Sequence, residues 1–211
     1  MATYESLIKI TGAVGDLVFY NLNGKNVVRK KSGFNKTAFK KSPSYEKVRQ
    51  NSSEFGHCSK IGKIIRNTLN LYIKEAGDPL LYQKFAKVMT TIKDLDMISE
   101  RGKRTVENGL MTEEGRKLLR EFQLGTVPNV LDCIRIENHI LYKNDDCITD
   151  RAVIATIKLN SENYSTEYAE EIISWNQQRR PFKKYFSEND LLLYFIVLKN
   201  DHDEITRMGF V

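Results

Sequence analysis

The sequence predicts an α+β fold with three parts in order: an N-terminal β-hairpin and basic arm over residues 1–41, a helical hairpin plus third helix over 42–125, and a C-terminal antiparallel β-sandwich-like domain over 129–211. Three observations carry this reading. Asn23-Gly24 lies between two β-rich runs, 17–20 and 26–30. Asn-Gly is the strongest short hairpin signal, because both residues accept the positive φ of a type I′ turn. From Pro43 to Phe122, apolar residues recur at the three-to-four spacing of a helix. Beyond Gly125-Thr-Val-Pro128 the period falls to two, with turn residues between the runs, as in a small sandwich.

A two-residue turn at Asn23-Gly24 fixes the hairpin register. Leu22 then lies opposite Lys25, Tyr20 opposite Val27 and Val18 opposite Arg29 on one face. Phe19 pairs with Val28 and Leu17 with Lys30 on the other. Both faces carry large apolar groups, and an isolated two-stranded ribbon is marginal in water. The hairpin therefore needs a cover on each side. Ahead of it, residues 1–11 suit a short strand, and Gly12 and Gly15 a tight turn. After Arg29, residues 30–42 are polar, with Phe34 and Phe39 set among lysines, and read as an extended arm or loop.

Ser42-Pro43 is an N-cap followed by proline at the first helical position. The helix it opens is expected to run to Ala76, with Gly77 as its cap. Its apolar seam reads Val48, Ser52, Phe55, Ser59, Gly62, Ile65, Leu69, Tyr72 and Ala76. The middle of that seam is small, so another backbone can approach. Asp78-Pro79 opens a second helix over 80–98, presenting Leu81, Phe85, Met89 and Ile92. Residues 99–111 read as a glycine- and charge-rich connector, and Thr112 caps a third helix with Glu113 and Glu114 at its positive end. Strands are expected over 130–136, 139–143, 152–159, 191–199 and 205–211, with 167–175 open between helix and strand and 177–184 as a loop.

The net charge of +6 is unevenly placed. Residues 1–66 hold 13 Lys+Arg against 4 Asp+Glu, and residues 67–211 hold 20 against 23. The basic front suits nucleic acid, an anionic surface or an acidic partner. Cys58, Cys133 and Cys147 make no C-x-x-C pair, and their odd number argues for free thiols in a reducing compartment. Glu5 and Lys9 interrupt any leader-like apolar run, and no segment approaches the ~20 apolar residues of a membrane span. The expected location is cytoplasmic, or within a particle assembled inside the cell.

Gly12, Gly15, Phe19, Tyr20, Gly24, Lys25 and Arg29 form a Gly-x-x-Gly turn, an aromatic strand, a Gly-Lys turn and a strand ending in arginine. In this the first third resembles a family of uncharacterised proteins of Bacteroidota. The resemblance implies helices and then a C-terminal β domain, and it implies no catalytic residue.

No catalytic or cofactor motif accompanies this outline. Gly24-Lys25, Gly62-Lys63 and Gly102-Lys103 are not followed by the Ser or Thr of a phosphate loop. His57, His139 and His202 share no metal spacing. His57 and Cys58 are adjacent on a helix and point about 100° apart, so they make no dyad. A non-enzymatic role without cofactor is expected. The leading expectation is a structural protein that self-associates, or joins a larger particle, through Leu17, Val18, Phe19, Tyr20, Val27, Phe34 and Phe39. The alternative is nucleic-acid binding through the basic residues of 25–66, chiefly Lys25, Arg29, Lys30, Lys31, Lys36, Lys40, Lys41, Lys47 and Arg49. Their cations suit phosphates, and the interleaved phenylalanines suit unpaired bases.

Overall fold

Asn23 (φ 51°) and Gly24 (φ 82°) make the turn that the sequence predicts, and the computed structural model carries the hairpin register predicted from it. The structure describes every residue except Met1, Leu7, Ser32, Phe34, Asn35, Ile148, Asn176 and Glu188. The fold is α+β, and the chain divides into two units, residues 1–46 and 47–211.

In the first unit the hairpin strands are β3 (Leu17–Leu22) and β4 (Lys25–Lys30). They are the centre of a four-stranded antiparallel sheet, flanked by β1 (Ala2–Thr3) on β4 and β2 (Gly12–Val14) on β3. The expected turn at Gly12–Gly15 is thus a strand followed by a turn, with Val14 opposite Leu17. The arm is not wholly extended: Lys36–Lys41 forms a short helix, α1, and Pro43–Tyr45 a single 3₁₀ turn. Phe39 packs edge-on against Tyr45 at 5.8 Å.

The second unit begins with α2 (Glu46–Thr68), whose first residue belongs to the preceding unit, and continues through α3 (Asn70–Glu75) and α4 (Leu81–Asp94). One helix was expected from 43 to 76; it breaks at Leu69. The Thr68 hydroxyl donates to the Ile64 carbonyl at 3.1 Å and bonds Thr166 at 2.7 Å, a side-chain competition that bends helices. The expected cap at Asp78 is shifted: Asp78 accepts from Leu80 N–H at 2.8 Å in the turn before the helix, and the N-cap of α4 is Leu80, which makes no side-chain cap bond. Two short helices follow, α5 (Val106–Leu110) inside the expected connector and α6 (Glu113–Arg120), where Thr112 Oγ1 accepts from Gly115 N–H at 3.0 Å.

The strands after residue 129 form two sheets. β7 (Arg151–Asn160), β8 (Ser165–Ser174), β10 (Leu192–Lys199) and β11 (Ile205–Phe210) pair in the order β11-β10-β7-β8. β5 (Ile134–Glu137), β6 (Ile140–Lys143) and β9 (Arg179–Pro181) make the second sheet. The ambiguous 167–175 is therefore strand, and the expected loop at 177–184 supplies an edge strand.

One face of the larger sheet packs on the helices. Val153, Ile157, Phe195 and Phe210 share a core with Ile61, Ile65, Phe85 and Ile92. The other face packs on the smaller sheet through Ala152, Ile154, Ile196 and Leu141. The expected separation into a helical domain and a β domain at residues 125–128 is thus drawn elsewhere: the main core runs across that stretch.

The seam predicted over residues 48–76 is correct in its second half, which runs from α2 into α3, and rotated in its first. Ile65, Leu69, Tyr72 and Ala76 are buried, but Phe55 is 58% exposed and Val48 50% exposed, and Ser52 and Ser59 are exposed. Glu54, Cys58 and Ile61 occupy the inner face instead. At Gly62 it is side chains rather than another backbone that come close: a Cβ there would lie 3.2 Å from Arg66, 3.3 Å from Met89 and 3.5 Å from Phe85.

A shared core has a measurable consequence. Fragment 129–211 alone would expose nine buried residues of the helix-facing sheet surface: Val153, Ala155, Ile157, Leu159, Leu193, Phe195, Val197, Met208 and Phe210. At roughly 1.5–3 kcal/mol for each large side chain, the loss is comparable with the whole stability of a domain, about 5–15 kcal/mol. The fragment is expected to show no cooperative thermal transition by circular dichroism, whereas 47–211 shows one. A cooperative transition in 129–211 would refute the shared core.

Candidate functional site

The residues singled out in the sequence fall in two places. Leu17, Val18, Phe19, Tyr20 and Val27 lie on β3 and β4, and Phe39 on α1; Phe34 lies outside the described residues. Val27 is 6% exposed, so it is a packing residue rather than an open contact. Val18, Phe19, Tyr20 and Phe39 are half-buried, and Leu17 is 43% exposed. Part of the Phe19 face is covered from within: the Tyr4 ring meets Phe19 edge-on at 5.6 Å, and the Tyr4 hydroxyl donates to the Ile10 carbonyl at 3.1 Å. Ile8, Val14 and Leu22 are 72%, 63% and 51% exposed.

The basic residues divide between the units. Lys25, Arg29, Lys30 and Lys31 sit on or beside β4, and Lys36, Lys40 and Lys41 on α1. Lys47 and Arg49 belong to α2 in the second unit. All but Arg49 are exposed, and among the described residues none of the exposed eight is in an ion pair. Packing against Tyr4 accounts for Phe19, while these eight exposed cations make no ion pair among the described residues.

A polar cluster that the sequence did not reveal joins α2 to the segment after α4. Glu54, 2% exposed, accepts from Arg104 Nε at 2.9 Å, Arg104 Nη2 at 2.8 Å, Lys93 Nζ at 2.7 Å and Gly102 N–H at 2.6 Å. The Arg104 hydrogen bonds hold its carboxyl down to about 2 against the opposing effect of burial, with Lys93 and Gly102 adding to them. Asp96 takes the N–H groups of Ile98, Ser99 and Thr105. Burial works to raise its pKa, and the Ser99 and Thr105 hydrogen bonds outweigh it and hold it well below the carboxylate range. These carboxylates are saturated with donors, which suits a fixed brace rather than a proton-transfer group.

His57 lies beside this brace. Its Nδ1 is 3.3 Å from the Tyr164 hydroxyl, and its Nε2 faces Val106 N–H at 3.1 Å and the Glu107 carboxylate at 3.0 Å. Nε2 either accepts from the first or donates to the second. Among the described residues no three His, Cys, Asp or Glu side chains converge as a metal site. The cysteines are free and buried, and burial pushes the Cys58 thiol up to about 11 and, with Cys133 beside it, Cys147 up to about 12. Such thiols are protonated and poor nucleophiles.

Concavities open on the second unit, two of them at helix borders. The larger, about 760 Å³, lies where α6 and β5 diverge around the β10–β11 end of the sheet. Its rim cations all hold partners within the chain: Arg116 on the Leu110 carbonyl, Lys117 on Glu121, Arg120 on Glu113 and Arg135 on Glu137. The smaller, about 460 Å³, lies between α2 and α4. No helix among the described residues is long and apolar enough to cross a membrane. Comparison with family models, curated proteins and solved structures finds no match to this chain.

The brace sets a pH dependence with a definite sign. Glu54 has a folded pKa of about 2 against an ordinary 4.5, so its contribution is full above 4.5 and is lost as the pH falls towards 2. The depression corresponds to roughly 3 kcal/mol. Glu54→Gln is expected to destabilise by roughly 3 kcal/mol at neutral pH, because Lys93 and Arg104 lose their buried partner and keep only the more exposed Asp94. Denaturant midpoints from pH 7 to 2.5 should converge for wild type and variant in acid. Parallel curves would remove Glu54 as the acid-labile brace.

Proposed function

We propose that the protein is a non-enzymatic structural component that self-associates, or joins a larger particle, through its N-terminal sheet. One observation carries the reading. Across residues 1–46 the only buried side chain among the described residues is that of Val27, while Ile8, Ile10, Val14, Leu17 and Leu22 are exposed. A unit of this size rarely holds itself together without disulfide, metal or partner. Val14 and Leu17 are directly opposed on β2 and β3, at 63% and 43% exposure, and form an apolar pair open to a neighbour. The outer strands β1 and β2 are two and three residues long, too short to template extended pairing, so the contact in this reading is made by sheet faces.

The test is light scattering beside circular dichroism. Wild type is expected to show a concentration-dependent species above monomer mass. The double variant Val14→Lys, Leu17→Lys and the truncation to 47–211 are expected to stay monomeric with helix content retained. A wild type that is monomeric at every concentration and salt would leave the assembly reading without support.

Eight exposed cations that make no ion pair among the described residues favour a second reading, a nucleic-acid contact made through Lys25–Lys30 and the lysines that follow. Phosphate neutralisation makes log affinity fall linearly with log salt. Replacing Lys30, Lys31, Lys40 and Lys41 by Gln is expected to flatten that slope by up to about four phosphate contacts. Oligonucleotide binding that is absent at low salt, or indifferent to the four changes, would eliminate this reading.

A further inference from the structure

The groove between α2 and α4 holds an unanswered charge. It is lined by Phe55, Tyr82 and Ala86 with Ser59, Arg66 and Lys87, and no carboxylate lines it. Phe55 and Tyr82 are 58% and 55% exposed, so two aromatic side chains flank an open trough. Arg66 is held in place rather than free to swing into water. Its guanidinium carbon sits 5.8 Å from the centre of the Phe85 ring, and its Nη1 is the nearest atom to the bare Cα side of Gly62. That Nη1 is buried without any hydrogen-bond partner. Among the described residues the Arg66 side chain makes no ion pair, in contrast to the satisfied arginines of the larger cleft. Partial burial pulls its pKa down. A partly desolvated guanidinium without a counter-charge is costly, and the groove lining supplies no carboxylate to answer it.

We propose that this groove is a binding site for an organic carboxylate: an apolar body lying between Phe55 and Tyr82, with its carboxylate on the Arg66 guanidinium. The guanidinium fork matches a carboxylate in geometry, and the apolar walls keep water from competing. Lys87 supplies a second, peripheral charge. The volume of about 460 Å³ falls within the roughly 300–1,000 Å³ of small-molecule sites. The site lies wholly within residues 47–211 and stands or falls independently of the assembly reading.

The test uses decanoate below its micelle concentration and decanol as the uncharged control, by calorimetry and thermal shift on the full chain. Wild type is expected to bind decanoate saturably at one site and to melt higher in its presence. Arg66→Gln is expected to weaken decanoate binding by about tenfold or more while changing decanol binding by less than about twofold. Without ligand, the same variant should melt no lower than wild type, because an unpaired buried charge has been removed. Thr90→Glu, which places a carboxylate in the groove wall, should raise the melting temperature and block decanoate. Failure of wild type to bind decanoate saturably would overturn the proposal, as would equal binding by Arg66→Gln. Burial of Phe55 and Tyr82 in a higher-mass species instead would assign the groove to a second copy and overturn it equally.

Discussion

Ala152 and Ile154 point to one side of β7, while Val153, Ala155 and Ile157 point to the other, and all five are buried. β10 repeats the pattern with Ile196 and Leu198 against Leu193, Phe195 and Val197. Two adjacent strands that are apolar on both faces are stable only with a layer on each side. The helices supply one layer and the small β5-β6-β9 sheet the other. The positions of α2 to α6 follow from this requirement, and so do the concavities, which open where a covering layer ends or where two helices part. The edge strand β8 is treated differently. Glu167, Glu170 and Glu171 put charge along it, with Glu167 paired to Lys158 at 3.2 Å, a common protection against edge-to-edge aggregation.

Local signals were legible to the residue. The register of β3 with β4 follows from Asn23-Gly24 alone, and the cap at Thr112 follows from short-range hydrogen bonding. The face of α2 was not legible, because it is set by residues far along the chain. Glu54 lies inside only because Lys93, Gly102 and Arg104 meet it there, some 39 to 50 positions away. A pattern of apolar residues assigns such a glutamate to the surface and shifts the predicted seam towards Phe55. α5 escaped notice for a different reason: Thr105 caps it locally, but the helix is only five residues long and sits in a polar connector without an apolar period.

The candidate surfaces divide along the same line. The hairpin aromatics and the basic arm were visible in the sequence, and the structure changes their weight: Val27 is used for packing, whereas eight of the cations are exposed and make no ion pair among the described residues. The Arg66 groove was not visible at all. Ser59 and Phe55 lie on the apolar seam that the spacing predicts, and no motif in the sequence singles out Arg66. Only the rotation of α2 turns those side chains outwards and leaves a guanidinium beside Gly62 with no carboxylate near it.

The core shared between Ile61 and Phe210 also bears on how the chain is made. Translation delivers the α2–α6 layer first, and its apolar face has no partner until the strands follow. About 90 residues separate Leu124 from Phe210, so at roughly 5–20 residues per second the ribosome leaves that face open for several seconds or more. During this interval Phe85, Met89 and Ile92 are available to any passing hydrophobic surface. Co-translational shielding is therefore a more stringent demand on this protein than its length implies.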